Sequence, residues 1–123
     1  MLGLVAVLLV SQLPLEHVAH GVASYYTVAS SGSRTASGDP MNDKMYTCAM
    51  RKAQLGSYVL VVAGSGNSVI CRVNDRGPYV RGRVVDLTEA AMRRLHGSAG
   101  LLKVNVYKLD LGSVFQALGL AQS

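Results

Sequence analysis

The sequence predicts a small, mainly β domain with one short helix near its C-terminal end, on three observations. Thirteen glycines in 123 residues suit a chain that turns often and are too many for a helical bundle. Two β-rich runs, Tyr58–Ala63 and Ser68–Asn74, flank the turn sequence Gly64-Ser65-Gly66-Asn67, which reads as a hairpin. Leu102-Lys103-Val104-Asn105-Val106-Tyr107-Lys108-Leu109 alternates as a half-buried strand does.

The length fits one domain. Half of the residues are hydrophobic, yet there are six Tyr, one Phe and no Trp, so the core must be mostly aliphatic. The formal charge is +5, which suits a polyanionic partner, nucleic acid or cell envelope. Neither a stacking platform of tyrosines nor a basic helix with base-reading spacing is present, so no nucleic-acid partner is expected. No nucleotide, haem or metal motif appears, and no cofactor is expected.

In chain order, Met1–Val10 is apolar and uncharged. It is too short for a transmembrane helix and suits the core of a secretory signal; a buried N-terminal strand is the alternative. Residues 1–20 are therefore assigned to a signal peptide or apolar leader, with cleavage after Ser11 or Ala19, and residues 21–110 to the domain. Export makes the protein secreted or periplasmic, with no stable membrane span. Gly21–Val28 is the first strand. Residues 29–44, rich in Ser, Gly, Asp, Asn and Pro, form a long surface loop of the kind that carries function.

After the hairpin, Asp75-Arg76-Gly77-Pro78-Tyr79 breaks the strand, because Gly-Pro cannot continue a ladder. Arg83–Leu87 is another strand. Thr88–Leu95 is the helix: Thr88 can cap it, Glu89 matches the positive end of its dipole, and Arg93 and Arg94 the negative end. Gly97 supplies the stop. Residues 102–109 close the sheet, and the tail 111–123 is a short docked helix or a frayed end. Cys48 and Cys71 are too few for a zinc site. In an exported chain they suit a disulfide worth roughly 3 kcal/mol; in a reduced one they are buried thiols.

The run Val69-Ile70-Cys71-Arg72-Val73-Asn74-Asp75-Arg76-Gly77-Pro78-Tyr79-Val80-Arg81-Gly82-Arg83-Val84-Val85-Asp86-Leu87-Thr88 resembles the signature of the rare lipoprotein A (RlpA) family. Gly21-Val22-Ala23-Ser24-Tyr25-Tyr26, Arg34-Thr35-Ala36-Ser37-Gly38-Asp39 and Thr47-Cys48-Ala49-Met50 fall in the family's order, so the resemblance covers about residues 21–109. It implies a six-stranded double-psi β-barrel with one short helix, the fold of expansins, barwin-like proteins and membrane-bound lytic transglycosylase A. It also implies a monomeric, endolytic peptidoglycan lytic transglycosylase that cuts glycan strands to 1,6-anhydromuramic ends. In that reaction the muramic acid C6 hydroxyl is the nucleophile, so no water need be placed, and one carboxyl can donate and then accept the proton.

Asp75 suits that acid–base role: it sits at a barrel rim where a strand meets a Gly-Pro turn, and a raised pKa there would require partial burial or a second carboxylate. The plainer reading is a turn residue bonding backbone amides. Asp39 stands where the family has Glu, to tune Asp75 or orient the sugar, or as a solvated loop residue. Met50 stands where the family has a functional His, and Met cannot carry a proton. The expected groove joins Asp75 and Asp39 and is lined by Met50, Arg76, Tyr79 and Tyr26, with the Arg76 guanidinium turned away from Asp75. One of Tyr25 and Tyr26 faces inward and the other outward. Asp86 is expected to cap the helix or close the barrel rather than do chemistry. Arg72, Arg81 and Arg83 are expected to bind substrate carboxylates or keep the surface wet. Two other functions are compatible with these residues. One is a non-catalytic, expansin-like polysaccharide-binding module, favoured by Met50. The other is a hydrolase using Asp75 and Asp39.

Overall fold

The computed structural model describes residues 15–31 and 34–110, with Gly112 and Gly119 beyond them. Six strands close into a barrel: β1 (Glu16–Tyr26), β2 (Thr47–Ala49), β3 (Tyr58–Ala63), β4 (Ser68–Asp75), β5 (Arg83–Thr88) and β6 (Leu101–Leu109), in the spatial order β1-β5-β2-β4-β3-β6. β1 runs parallel to β5 and β2 parallel to β4; the remaining pairings are antiparallel. Two helical pieces complete the order, a single turn α1 (Val28–Ser31) and α2 (Glu89–Leu95). Among the described residues no helix is long and apolar enough to cross a membrane.

The strands follow from alternation. In β3, Val59, Val61 and Ala63 are buried while Tyr58, Leu60 and Val62 are half-buried, so the outward face of this apolar strand is still partly covered. In β4, Val69, Cys71 and Val73 point inward. The inner faces meet in an aliphatic core that includes Val85, Leu87, Val104 and Val106, plugged by Ala91, Met92 and Leu95 of α2. The hairpin turn is held by Ala63 N–H to the Asn67 carbonyl and Gly66 N–H to the Ala63 carbonyl, both 2.9 Å, with Gly66 at φ +96°. Gly21 is required by close approach: a Cβ there would lie 2.8 Å from the Gly82 carbonyl oxygen and from Val84.

α2 begins as expected. The Thr88 hydroxyl oxygen accepts from Ala91 N–H and donates its own hydrogen to the Met45 carbonyl, while Arg93 binds the His96 and Ala99 carbonyls past the helix end. The cap is thus Thr88, not Asp86. α1 falls in the expected loop; its first N–H, on Val28, donates to the Asp43 carboxylate at 2.9 Å, a remote acid at the positive end of the turn.

Two expectations need correction. β1 starts at Glu16 rather than Gly21, so the expected boundary between residues 20 and 21 falls inside a strand. Glu16–His20 pairs with Asn105–Lys108 of β6, and His17 bonds the Asn105 side chain at 2.8 Å and packs edge-on against Tyr107. The disulfide is not formed: Cys48 and Cys71 are free, fully buried thiols. Cys48 faces Val73 in the β2–β4 ladder, two residues from Cys71, and the thiols, with no covalent bond between them, meet through a hydrogen bond as a core pair. That bond, and burial after it, hold the Cys48 thiol well above its ordinary value, so it stays protonated. The tail assigned to residues 111–123 and the apolar run Met1–Val10 lie outside the described residues, Gly112 and Gly119 excepted.

Candidate active site

The site is built on the outer face of β1, β5, β2 and β4. Cys48, Val85 and Leu87 belong to the barrel core, so the alternating neighbours Ala49 and Asp86 lie on the other face. Ala49 is in register with Asp75 of β4 on one side and with Asp86 of β5 on the other. Asp86 is in turn in register with Ser24 of β1. Two strand spacings place the Cα atoms of Asp75 and Asp86 roughly 10 Å apart, with only the methyl of Ala49 between them. Ala49 forms a small outer cluster with Tyr26 and Met41.

The two carboxyls differ in character. Asp86 is half-buried, and its Oδ1 accepts from the Ser24 hydroxyl at 3.0 Å. Burial pushes its pKa up, the Ser24 hydrogen bond and Arg83 oppose that, and the charge of Asp75 adds to it. Asp75 Oδ1 accepts two backbone N–H groups at 2.9 Å, from Ala36 and from Arg76. The plainer turn-type bonding is therefore real, and it uses one oxygen. The other oxygen has no hydrogen-bond partner among the described residues. Tyr26 lies beneath the pair, 5% exposed. Its hydroxyl lies near Thr47 without completing a hydrogen bond of ordinary geometry, and burial holds the phenol above its usual value.

The 34–40 loop folds over the end of β4. Arg34 and Pro40 bridge its base, Thr35 N–H and hydroxyl bond the Asp39 carbonyl, and Ser37 N–H donates to the Asn74 carbonyl at 3.0 Å. This loop brings Asp39 toward the same strand end as Asp75 but gives it another partner. Arg72 Nη1 lies 2.6 Å from Asp39 Oδ2, and that hydrogen bond, with one from Ser37, holds the Asp39 carboxyl below its ordinary value. Asp39 is a paired anion, not a proton donor.

The other expected residues separate. Met50 N–H donates to the Asp75 carbonyl at 3.2 Å, yet its side chain is 7% exposed and lines a different cavity of about 490 Å³ with Val18, Val59 and Val84. Arg76 points away from Asp75, as expected, and clamps the next loop through the Met50 and Ala53 carbonyls. Tyr79 is 76% exposed beside the Gly77–Pro78 turn. Of the tyrosine pair, Tyr25 faces out, under the Arg93 guanidinium at 5.1 Å, and Tyr26 is the covered one. Sequence reasoning assigned Asp86 a structural role and missed its standing opposite Asp75. The available signal was an acid flanked by apolar residues in Val84-Val85-Asp86-Leu87, where a carboxyl must be paired or protonated.

A closed six-stranded barrel with two parallel pairs and carboxyls on an outer face defines a double-psi β-barrel protein of the RlpA-like kind. A family profile described as lytic transglycolase matches residues 18–106, and the chain belongs to this RlpA-like double-psi β-barrel family. It is 45% identical over 94 residues to the endolytic peptidoglycan transglycosylase RlpA of Pasteurella multocida, covering 73% of this chain and 32% of that protein. It is 41% identical over 81 residues to the protein of the same name in Haemophilus influenzae, covering 65% and 28%. The chain thus spans about a third of the length of these relatives. Among solved structures, the expansin of Clavibacter michiganensis aligns with a TM-score of 0.58 at 22% identity over 74% of this chain and 50% of that one. The Streptomyces papain inhibitor aligns with a TM-score of 0.58 at 22% identity over 79% and 97%. These two likenesses concern the fold.

Proposed function

We propose that this chain is an endolytic peptidoglycan lytic transglycosylase in which Asp86 and Asp75 divide the proton transfers. The observation that carries the proposal is the pair of unlike carboxyls flanking Ala49 on one open sheet face. Environments that push two carboxyls apart in acidity separate an acid from a base. Asp86, half-buried and raised, donates its proton to the glycosidic oxygen as the C1–O bond breaks. The C6 hydroxyl oxygen of the muramic acid closes on C1, and its proton passes to the free oxygen of Asp75. Return of that proton to Asp86 through solvent restores the starting state, and no water is consumed. Asp75 Oδ1, pinned by two backbone amides, keeps the base in place. A peptidoglycan substrate places the protein in the cell envelope, secreted or periplasmic.

The relatives named endolytic peptidoglycan transglycosylase support this reading. Met50 supports a second, a binding module without chemistry, because no proton-carrying side chain stands at that position. Incubating the chain with sacculi stripped of stem peptides, and reading the products by mass, decides between them. Transglycosylation yields 1,6-anhydromuramic ends, hydrolysis yields reducing ends, and a binding module yields neither. If neither the parent nor Met50→His releases anhydro-sugar while both bind sacculi, the enzyme reading fails.

A further inference from the structure

The proton-transfer scheme uses the outer face of the sheet and leaves one mouth of the barrel unused. β1, β3 and β5 begin at that end, and β6, antiparallel to β1 and β3, finishes there. The cavity of about 490 Å³ that Met50 lines lies at this mouth, and its size is that of a small-molecule pocket. Its floor is the lower end of the core: Met50 and Val59 are buried, and Ala19 and Val84 pack half-buried against the same cluster. Open space above apolar side chains forgoes the contacts that a closed core makes.

The rim has the opposite character. Arg51, Lys52 and Lys108 stand on it, all three exposed, and no acid lines the cavity. Glu16 is in register with Lys108 across β1 and β6. Even so, none of the three cations is in an ion pair among the described residues, where Arg72–Asp39 is the one such pair. The loop that carries Arg51 and Lys52 is itself fastened by a fourth cation, since Arg76 donates to the Met50 and Ala53 carbonyls. Cations gathered around a low-dielectric floor without a counter-ion favour an anion there.

A ligand for this cavity has two ends, an aliphatic one for the floor and an anionic one for the rim. A bare anion leaves the floor empty, and a neutral or cationic amphiphile leaves the rim uncompensated. We propose that this mouth of the barrel is a binding site for an aliphatic carboxylate. The chain packs on Met50, Val59 and Val84, and the carboxylate sits among Arg51, Lys52 and Lys108. The site lies apart from the outer-face carboxyls, and the inference does not rest on the glycan reading.

Octanoate is the probe, with octanol, octylammonium and acetate as controls, each titrated into the full chain at low salt and followed by amide NMR shifts. Octanoate is expected to bind at least about fivefold more tightly than octanol, because three solvated cations each add a modest attraction. That advantage should vanish in molar salt. Acetate and octylammonium should both bind more weakly than octanol, and the octanoate shifts should centre on residues 51–57, Val84 and Lys108. The triple variant Arg51→Gln, Lys52→Gln, Lys108→Gln should bring octanoate down to the affinity of octanol and leave octanol unchanged. Val18→Ser, at a lining position 44% exposed and so safe for folding, should weaken both and keep their ratio. Octylammonium binding as tightly as octanoate, or octanoate affinity that survives the triple substitution, overturns the site. Shifts centred elsewhere, or no measurable binding of octanoate, overturn it equally.

Discussion

The inner and outer faces of β2, β4 and β5 are made by alternating residues of the same three short strands, and they obey different rules. Inward, Cys48, Val73 and Leu87 are fully buried in one cluster, and the core is mostly aliphatic. Even the two thiols there satisfy each other. Outward, Ala49, Asp75 and Asp86 share a register line, Asp75 reaching it through an irregularity in the β2–β4 ladder that skips Asn74, and around them sit the described residues' two buried side-chain polar atoms without a partner, the Tyr26 hydroxyl and Asn74 Oδ1. A buried polar atom is normally paired. Their concentration on one face, against the packed inner one, teaches that the barrel core satisfies every group it buries while the outer face does not.

The contrast breaks most sharply with the carboxyls. Asp86→Asn and Asp75→Asn are each expected to reduce anhydro-sugar release by roughly 10²- to 10⁴-fold, the span of a lost general acid or base. Stability should respond differently in the two. A carboxyl whose folded pKa lies above its unfolded value contributes stability that is complete below the unfolded pKa and is lost as pH rises through the folded one. For Asp86, raised mainly by burial, the parent should therefore weaken between the ordinary Asp pKa and that higher value. Asp86→Asn should be at least as stable as the parent at neutral pH, as read by thermal unfolding at several pH values. Asp75→Asn loses charge-assisted bonds to two amides and should unfold earlier.

The inner face gives the opposite pattern. Leu87→Ala leaves a cavity in a fully buried position and should cost about 2–5 kcal/mol, measured by urea unfolding. Product ratio at low temperature should stay as in the parent, because Leu87 faces away from Asp86. A change in product chemistry with Leu87→Ala, rather than in the amount of folded protein, would break the separation of the two faces.

How much of this was legible in the sequence divides along the same line. The hairpin, the closing strand and α2 were readable because their signals are local: alternation, a Gly-rich turn, and Thr88 ahead of a helix with Arg93 and Arg94 at its end. The break in the chain after Asp75 was readable through its Gly77-Pro78 sequence. The register line was not, since Ser24 and Asp86 are 62 positions apart and only barrel closure sets them side by side. The same blindness to register hid the pairing of Glu16–His20 with β6, and sequence could suggest Cys48 and Cys71 as neighbours without showing that they stand as thiols. Asn74 and Tyr26 carry no sequence mark at all, because an unpaired atom is a property of packing.

Tyr26→Phe sharpens the comparison at a smaller scale. Removing a buried hydroxyl that has no partner relieves desolvation and should leave stability unchanged or raised by up to about 1 kcal/mol. Because that hydroxyl is sealed from solvent, sacculus cleavage should stay as in the parent, and a fall in cleavage without a weaker fold would show instead that the hydroxyl acts on the site.

The smallest effect is expected at the one ion pair among the described residues, Arg72–Asp39. Both side chains are more than a third exposed, so solvent screens the attraction and such pairs contribute little. The sign is nonetheless defined. Asp39 is held below its ordinary value, first by its hydrogen bond to Arg72, so its contribution is complete above the ordinary carboxylate pKa and is lost as pH falls through the lowered one. Asp39→Asn should therefore shift the melting temperature slightly near neutral pH at low salt, and not at all in strong acid or in molar salt. It should also free the Arg72 guanidinium, turning a neutral pair into an exposed cation. Asp39→Asn should therefore gain binding of glycans that carry carboxylates and leave the binding of neutral ones unaffected, a change visible in affinity by titration calorimetry although stability hardly moves.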